Sequence, residues 1–512
     1  MLDLPDIQGI VFTGYGHMPH SRFLFLEIQD RKAAQPWLTL LLPCIVSGKR
    51  REKGAPKPHT SAHIAVSAPG LLKFGLNQEA LDTFPREFTE GMAFGQRPRV
   101  LGDTGTSDPT QWEFGGVAKI DPKQPEGSGP KQPEIHILLA LYASSEAHLE
   151  ALKQEAWYPN GSNHGLGVIT QQDSFRRCDN EPFGFRDGIG QPTLEGSPVP
   201  VTPGQAVLKP GEFLLGYTNG YDNPSPVPTI APALDPNGLL PADTIQTSRK
   251  AFGLNGSFLV FRKLKQDVEG FWKFFEQKTL NPDGTPNPEQ KIYLASKCVG
   301  RWPSGAPLTL APEKDNPALA GNNPRIDDFL FAAADVSGFA CPIGSHIRRV
   351  NPRDALEPNS SAKALIISNR HRIIRRGRPY ETPLLPDANC PPTAPDAPPA
   401  VHDPATAAEA HAEAKGHPEP TEQGLYFIAI NADIQRQFEF IQQTWANNEK
   451  FNGLYDNKDP IIGDNDGTGV MVLQQSPVRT KVHDIPRFVE MRGGGYFFLP
   501  GLRALRVLAG LP

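Results

Sequence analysis

The sequence predicts an α+β protein built from four strand-then-helix units, set in two widely spaced pairs. Runs of β-favouring apolar residues occur four times, and helical spacing of apolar residues follows them. The stretches between the members of each pair are long. Gly and Pro are abundant, at 48 and 54 of 512 residues, which fits stiff loops around a compact centre rather than disorder throughout.

The first unit spans residues 7–28, "IQGIVFTGYGHMPHSRFLFLEI", and is expected to open on a strand at its start, with a poorer helical half. The second, residues 134–156, reads "EIHILLALYASSEAHLEALKQEA". The third, residues 256–278, reads "GSFLVFRKLKQDVEGFWKFFEQK", where Val268, Phe271, Trp272 and Phe275 recur at helical spacing. The fourth, residues 424–445, reads "GLYFIAINADIQRQFEFIQQTW". Each of the last three begins with about six mostly apolar residues, a short polar break and then an amphipathic helix. Two such steps per domain make a βαββαβ unit. The same pattern also suits the ordinary strand–helix pairs of any α/β protein. Residues 216–250 are rich in Pro, Asn and Gly and mark an interdomain region. Residues 386–422 read as a Pro/Ala-rich surface insertion. Its His402, His411 and His417 are solvated histidines or, less simply, a metal site.

Charge and cysteine content exclude several classes. With 51 Lys+Arg against 56 Asp+Glu, the chain lacks the basic balance of a nucleic-acid binder. Any basic cluster is local and suits a small anion. Cys44, Cys178, Cys298, Cys341 and Cys390 are scattered, with no C-x-x-C pair, as expected of reduced thiols in a cytoplasmic protein. No secretory signal is apparent at residues 1–12, and no apolar run approaches the 18 or so residues of a membrane span. Nucleotide-binding, zinc-protease and esterase signatures are missing.

Three stretches carry candidate chemistry. "EPFGFRDGIGQP", residues 181–192, places Asp187 in a glycine turn. There it either accepts its own backbone amides or stands at the lip of a cavity as a proton-transfer carboxylate. "CPIGSHIRRVNPRDAL", residues 341–356, sets His346 beside Arg348, Arg349 and Arg353. That is either a basic turn around a satisfied histidine or a metal ligand next to an anion site. "NRHRIIRRGRPYE", residues 369–381, ends an apolar pair with Arg375 and Arg376. Strand alternation lets only one of the two face a pocket.

The ordered set "GFRDG", "GSHIRRVNPRD" and "IIRRGRPY" resembles the dye-decolourising peroxidases, a family of haem enzymes. "DIQGIVFTGYG", "GSFLVFRKLKQDV", "VGRWPSGAPL", "GLYFIAINADIQRQFEFIQ" and "GGGYFFLPGLRAL" extend the resemblance over most of the chain. It implies two ferredoxin-like βαββαβ domains: residues 1–245 carry the GxxDG motif, and residues 246–512 carry the haem-ligand histidine. It implies one non-covalent haem b (iron protoporphyrin IX) per chain, with His346 as the iron ligand. Asp187 and Arg375 are then catalytic, with Arg376 the rival of Arg375. Arg301, Arg348 and Arg349, with Arg353 as a further candidate, would meet the haem propionates. Asp433, or failing that Glu439, would support His346.

The implied activity is reduction of hydrogen peroxide with oxidation of dyes, phenols or other bulky organic donors, through a high-valent iron intermediate. The alternative is a haem carrier on the same scaffold with little turnover. Peroxide and a reducing organic substrate are the expected partners, without nucleic acid or membrane, and a homo-oligomer is left open. A carboxylate base ordinarily stays ionised well below neutrality, with a pKa of about 4, so an acidic pH optimum is expected. Trp302 and Trp445 are candidates for surface electron relay.

Overall fold

The computed structural model describes residues 1–510 except 53, 119–131, 322, 358 and 383–420. Most of the expected insertion at 386–422 therefore lies outside the described residues. Its last residue, Glu422, instead opens a strand.

Two four-step blocks share one nine-stranded sheet. In the first block the strands are β1 (His20–Ile28), β2 (Thr60–Val66), β3 (Ile137–Ala143) and β4 (Leu166–Phe175). The helices Arg31–Leu41 and Glu146–Ala156 follow β1 and β3. Spatial order is β4-β1-β3-β2. A short parallel pair, β5 (Thr193–Leu194) and β6 (Val207–Leu208), stands apart. The second block holds β7 (Ser257–Gln266), β8 (Ile374–Arg375), β9 (Arg378–Thr382), β10 (Glu422–Asn431) and β13 (Val489–Leu499). A separate hairpin of β11 (Gly469–Leu473) and β12 (Thr480–Ile485) precedes β13. The order β13-β7-β10, with β8 and β9 beside β10, repeats the fourth-first-third-second arrangement of the first block. This is the βαββαβ pattern twice. The blocks join where Phe498 of β13 pairs with Val66 of β2.

Period-2 alternation fills both faces of this sheet. Leu24 and Leu26 of β1, with Phe258 and Val260 of β7, enter the core under the helices. Their neighbours Phe23, Phe25, Leu259 and Phe261 enter the core on the reverse face. Helix starts are written in the sequence. Asp30, Ser145 and Asp267 accept amide N–H bonds from Lys32, His148 and Gly270, each such cap contributing about 1 kcal/mol.

Three of the four predicted units form as expected. In the first, Gly9–Val11 is a single helical turn rather than a strand. The strand is the second half of the unit, and its helix lies beyond residue 28. Alternating exposure is weak in "HSRFLFLEI" because both faces of β1 are covered, which hides the strand from a simple period count. In the fourth unit the helical half is wound wide, as the π-helical segments Gln435–Glu439 and Ile441–Ala446.

Candidate active site

One face of the second block opens onto a cavity of about 270 Å³. Arg262, Leu264 and Gln266 of β7, Leu425 and Phe427 of β10, and Val489 and Met491 of β13 line it. Alternate residues of one strand share a face, which explains the i, i+2, i+4 selection. The loop 181–190 and the helix His346–Val350 supply other walls.

His346 is the first residue of that helix. Its Nδ1 lies 2.9 Å from Oδ2 of Asp459. Among the described residues, Nε2 has no hydrogen-bond partner, and the ring lines the cavity. Asp459 is fully buried. Its Oδ1 accepts the amides of Ile461 (2.8 Å) and Ile462 (3.0 Å) in the Asp-Pro turn. Burial pushes this carboxyl up. The opposite charge and hydrogen bond of His346, the Ile462 amide and the Arg349 guanidinium outweigh burial and hold it below the usual carboxylate range.

Asp433 and Glu439 are therefore not the partners of His346. Asp433 is 44% exposed and accepts the amide of Arg436 at 2.9 Å. Glu439 is held by Arg97 (2.6 Å) and the Tyr496 hydroxyl (2.8 Å). Asp459 stands 113 positions from His346, and no local pattern announces such a pairing. The only cue is an Asp-Pro turn of the kind that fixes a carboxylate.

Arg348 and Arg349 also lie away from the cavity. Helical geometry keeps Val350, four residues after His346, on its face and puts Arg348, two after it, on the far side, while Arg349, three after it, is drawn aside by the carbonyls around the Asp459 turn. Arg348 binds Asp335 Oδ2 (3.1 Å) and the Cys341 carbonyl (2.7 Å), and stacks over Phe331. Arg349 donates to the carbonyls of Trp445 (2.6 Å), Asn448 (3.1 Å) and Asn457. They brace the helix and the Asp459 turn instead of a ligand.

Other arginines face the cavity. Arg301 donates to the Ile326 carbonyl (2.7 Å) and to Asp327 Oδ1 (3.2 Å). Arg353 binds the same Asp327 oxygen. Arg372 donates to the Gly190 carbonyl at 2.6 Å. Burial lowers Arg301 and Arg372 to about 10; Asp327 opposes this in each, while Arg353 and Arg375 add to it. The cavity lining holds seven arginines against four carboxyl groups, and Arg301, Arg353 and Arg372 have only Asp327 among them, so this wall is short of negative charge.

Asp187 and Arg375 meet at the same cavity, with Nη1 to Oδ1 at 3.6 Å and each side chain about one-third exposed. Gly184 (φ +94°) and Gly188 (φ +81°) flank Asp187 in the left-handed region, which a side chain would strain. The Asp187 amide donates to the Asp179 carbonyl at 2.8 Å. Arg375 is fixed by the Ile189 carbonyl (2.6 Å) and by Gln191, which accepts its amide at 2.9 Å. Arg376 turns to the other face and donates to the Ile10 and Val11 carbonyls, both at 2.7 Å. Trp302 and Trp445 are buried, with Trp302 Nε1 donating to the Ala311 carbonyl. Neither is a surface residue.

Sequence reasoning passed over Glu181. Its Oε1 accepts the Phe185 amide (3.0 Å), and its Oε2 accepts the Phe183 amide (3.0 Å) and Gln266 Nε2 (2.6 Å). It therefore pins the Asp187 loop to β7. Burial raises its carboxyl to about 7 despite these three donors, and the charge of Asp187 adds to the rise. An unfolded Glu ionises near 4.5. The stabilising contribution is thus complete below pH 4.5 and is lost as pH rises through 7, a span of about 3 kcal/mol. Glu181→Gln is expected to flatten the fall in stability between pH 5 and 8, measured by urea unfolding at several pH values.

No family model matches the chain. It is 30% identical to a dye-decolorizing peroxidase of Exidia glandulosa over 98% of this chain and 86% of that protein. It is also 30% identical to one of Mycena epipterygia, over 99% and 87%. Among solved structures, an ancestral D-type dye decolorizing peroxidase superposes with a TM-score of 0.72 at 28% identity, covering 99% of this chain and 98% of that one. A dye-decolorizing peroxidase in complex with 2,6-dimethoxyphenol superposes at 0.70, with 25% identity and full coverage of both chains. The similarity spans nearly the whole chain, and the chain belongs to the dye-decolorizing peroxidase family.

Proposed function

We propose that the cavity holds one non-covalent haem b per chain, with His346 Nε2 as iron ligand, and that hydrogen peroxide is reduced beside Asp187 and Arg375. The observation that carries this reading is one cavity lined by a carboxylate-backed imidazole, a second carboxylate–guanidinium pair, and an arginine wall short of negative charge. These residues fit the group. A haem ligand requires an imidazole nitrogen free of other bonds, and among the described residues His346 Nε2 has no hydrogen-bond partner. The two propionates require cations; Arg301 and Arg353 share the single carboxylate of Asp327, and Arg372 beside them is bound to the Gly190 carbonyl. When bound, haem would supply the two electrons that reduce peroxide as its O–O bond splits.

The protein's own residues do the rest. Asp459 accepts the Nδ1 proton, fixes the ring tautomer and increases electron donation from Nε2. Asp187 takes the proton from one peroxide oxygen and returns it to the other. The Arg375 guanidinium stabilises negative charge as the O–O bond lengthens. A phenol or dye is the proposed donor, supported by the relative solved with 2,6-dimethoxyphenol. The boundary near residue 245 and a cytoplasmic setting belong to the same proposal. The latter is supported by the scattered cysteines, of which Cys44, Cys298 and Cys341 are free. No helix among the described residues is long and apolar enough to cross a membrane.

The test is a haem titration followed by absorbance. The wild-type protein is expected to bind one equivalent, and His346→Ala to lose the histidine-ligated spectrum. An unchanged spectrum in His346→Ala refutes the ligand assignment.

A further inference from the structure

A second cavity, of about 520 Å³, lies between the helix Pro288–Val299 and the segment 332–340, which begins in the short helix Phe331–Ala334. Lys297 lines it and is only 4% exposed. A lysine so deep ordinarily has a carboxylate partner. Among the described residues this one forms no ion pair. Its ammonium donates to the carbonyls of Phe339 (3.0 Å) and Ala340 (2.6 Å) and lies 4.9 Å from the centre of the Tyr293 ring. An ammonium has three donors, so one remains. Asp335, on the same wall, is already engaged by Arg348 and by the amides of Ala340 and Cys341. Glu313 is exposed at the rim, where solvent screens it. Apart from Ser337, the remaining rim is apolar: Val336 is 68% and Phe339 53% exposed.

A deep cation without a counter-ion, an aromatic floor and exposed apolar residues above it match a ligand with an anionic end and an aromatic body. We propose that this cleft binds small aromatic carboxylates, with the carboxylate on Lys297 and the ring against Phe339 and Val336. Resting on the peroxidase reading, the bound acid is a reducing substrate when it carries a phenol. Each of two such molecules gives up one electron and its phenolic proton. One peroxide takes both electrons and both protons, yielding two phenoxyl radicals and two waters.

The experiment uses the haem-loaded enzyme and two probes, vanillate (4-hydroxy-3-methoxybenzoate) and its uncharged relative 2-methoxyphenol. Vanillate binding is measured by calorimetry without peroxide, and oxidation of both probes with peroxide. Lys297→Met is expected to raise the Kd and KM for vanillate about tenfold, the loss of one charge-assisted hydrogen bond. KM and kcat for 2-methoxyphenol should stay unchanged. Val336→Glu, at an exposed position that does not threaten folding, should weaken vanillate binding about threefold or more by charge repulsion. Wild-type affinity for vanillate in both variants, or no vanillate binding by the wild type, overturns the cleft proposal and leaves peroxidase activity standing. Absence of turnover with either probe counts against the peroxidase reading, while calorimetry still decides the cleft.

Discussion

Asp187→Asn is expected to lower kcat/KM for hydrogen peroxide about 1,000-fold while leaving haem content and absorbance intact. General acid–base catalysis contributes about 10²–10⁴-fold. The asparagine amide retains the size of the carboxylate and cannot take a proton at working pH. Little else at the position should move. The loop is set by Gly184, Gly188, the Asp187 amide and the three bonds of Glu181, none of which involves the Asp187 side chain. Stopped-flow reaction with peroxide, under an excess of donor, reads the step directly. A loss under tenfold would show that Arg375 and solvent manage the proton without this carboxylate.

The second large effect belongs to Asp459→Asn. The oxygen of the new amide can still accept from Ile461 and Ile462, so the turn has reason to persist. Its NH₂, facing His346 Nδ1, donates where the carboxylate accepted. The imidazole must then carry its proton on Nε2, and a protonated nitrogen cannot bind iron. Haem affinity is expected to fall about 10–100-fold, the usual scale for loss of a ligand's outer partner. Asp459→Ala should cost more in stability, about 3–5 kcal/mol, because Arg349 and two amides lose the anion buried among them. Haem titration and urea unfolding separate the two outcomes. Unchanged affinity in Asp459→Asn would mean that His346 is oriented by its helix alone.

The strands and helices of three of the four units could be read from apolar spacing, since short local patterns fix them. β1 was displaced because burial on both faces removes the alternation that a sequence reader looks for. Site residues divide in the same way. His346, Asp187 and Arg375 sit in dense local motifs, and strand alternation already separated Arg375 from Arg376. The assignment of Arg348 and Arg349 failed because a run of arginines reads as one cluster. A helix distributes neighbours around its axis, and only Arg353, beyond the helix end, returns to the cavity with Arg301. Asp459, Asp327 and Glu181 act through partners far away in sequence or through backbone amides, and no side-chain pattern records those. The family resemblance identified the chemistry and still left the partner of His346 undetermined between Asp433 and Glu439. Geometry replaced both with Asp459.

The seam between the two blocks has a consequence for biosynthesis. Phe498 pairs with Val66 across 432 positions of chain, and β13 also fills the place beside β7. Until β13 leaves the ribosome, the nascent chain presents two open strand edges, on β2 and on β7, for the tens of seconds that translation of the intervening length takes. Those edges are templates for pairing with neighbouring polypeptides. Yield in the cell should therefore depend on chaperone capacity more than the stability of the finished sheet would suggest.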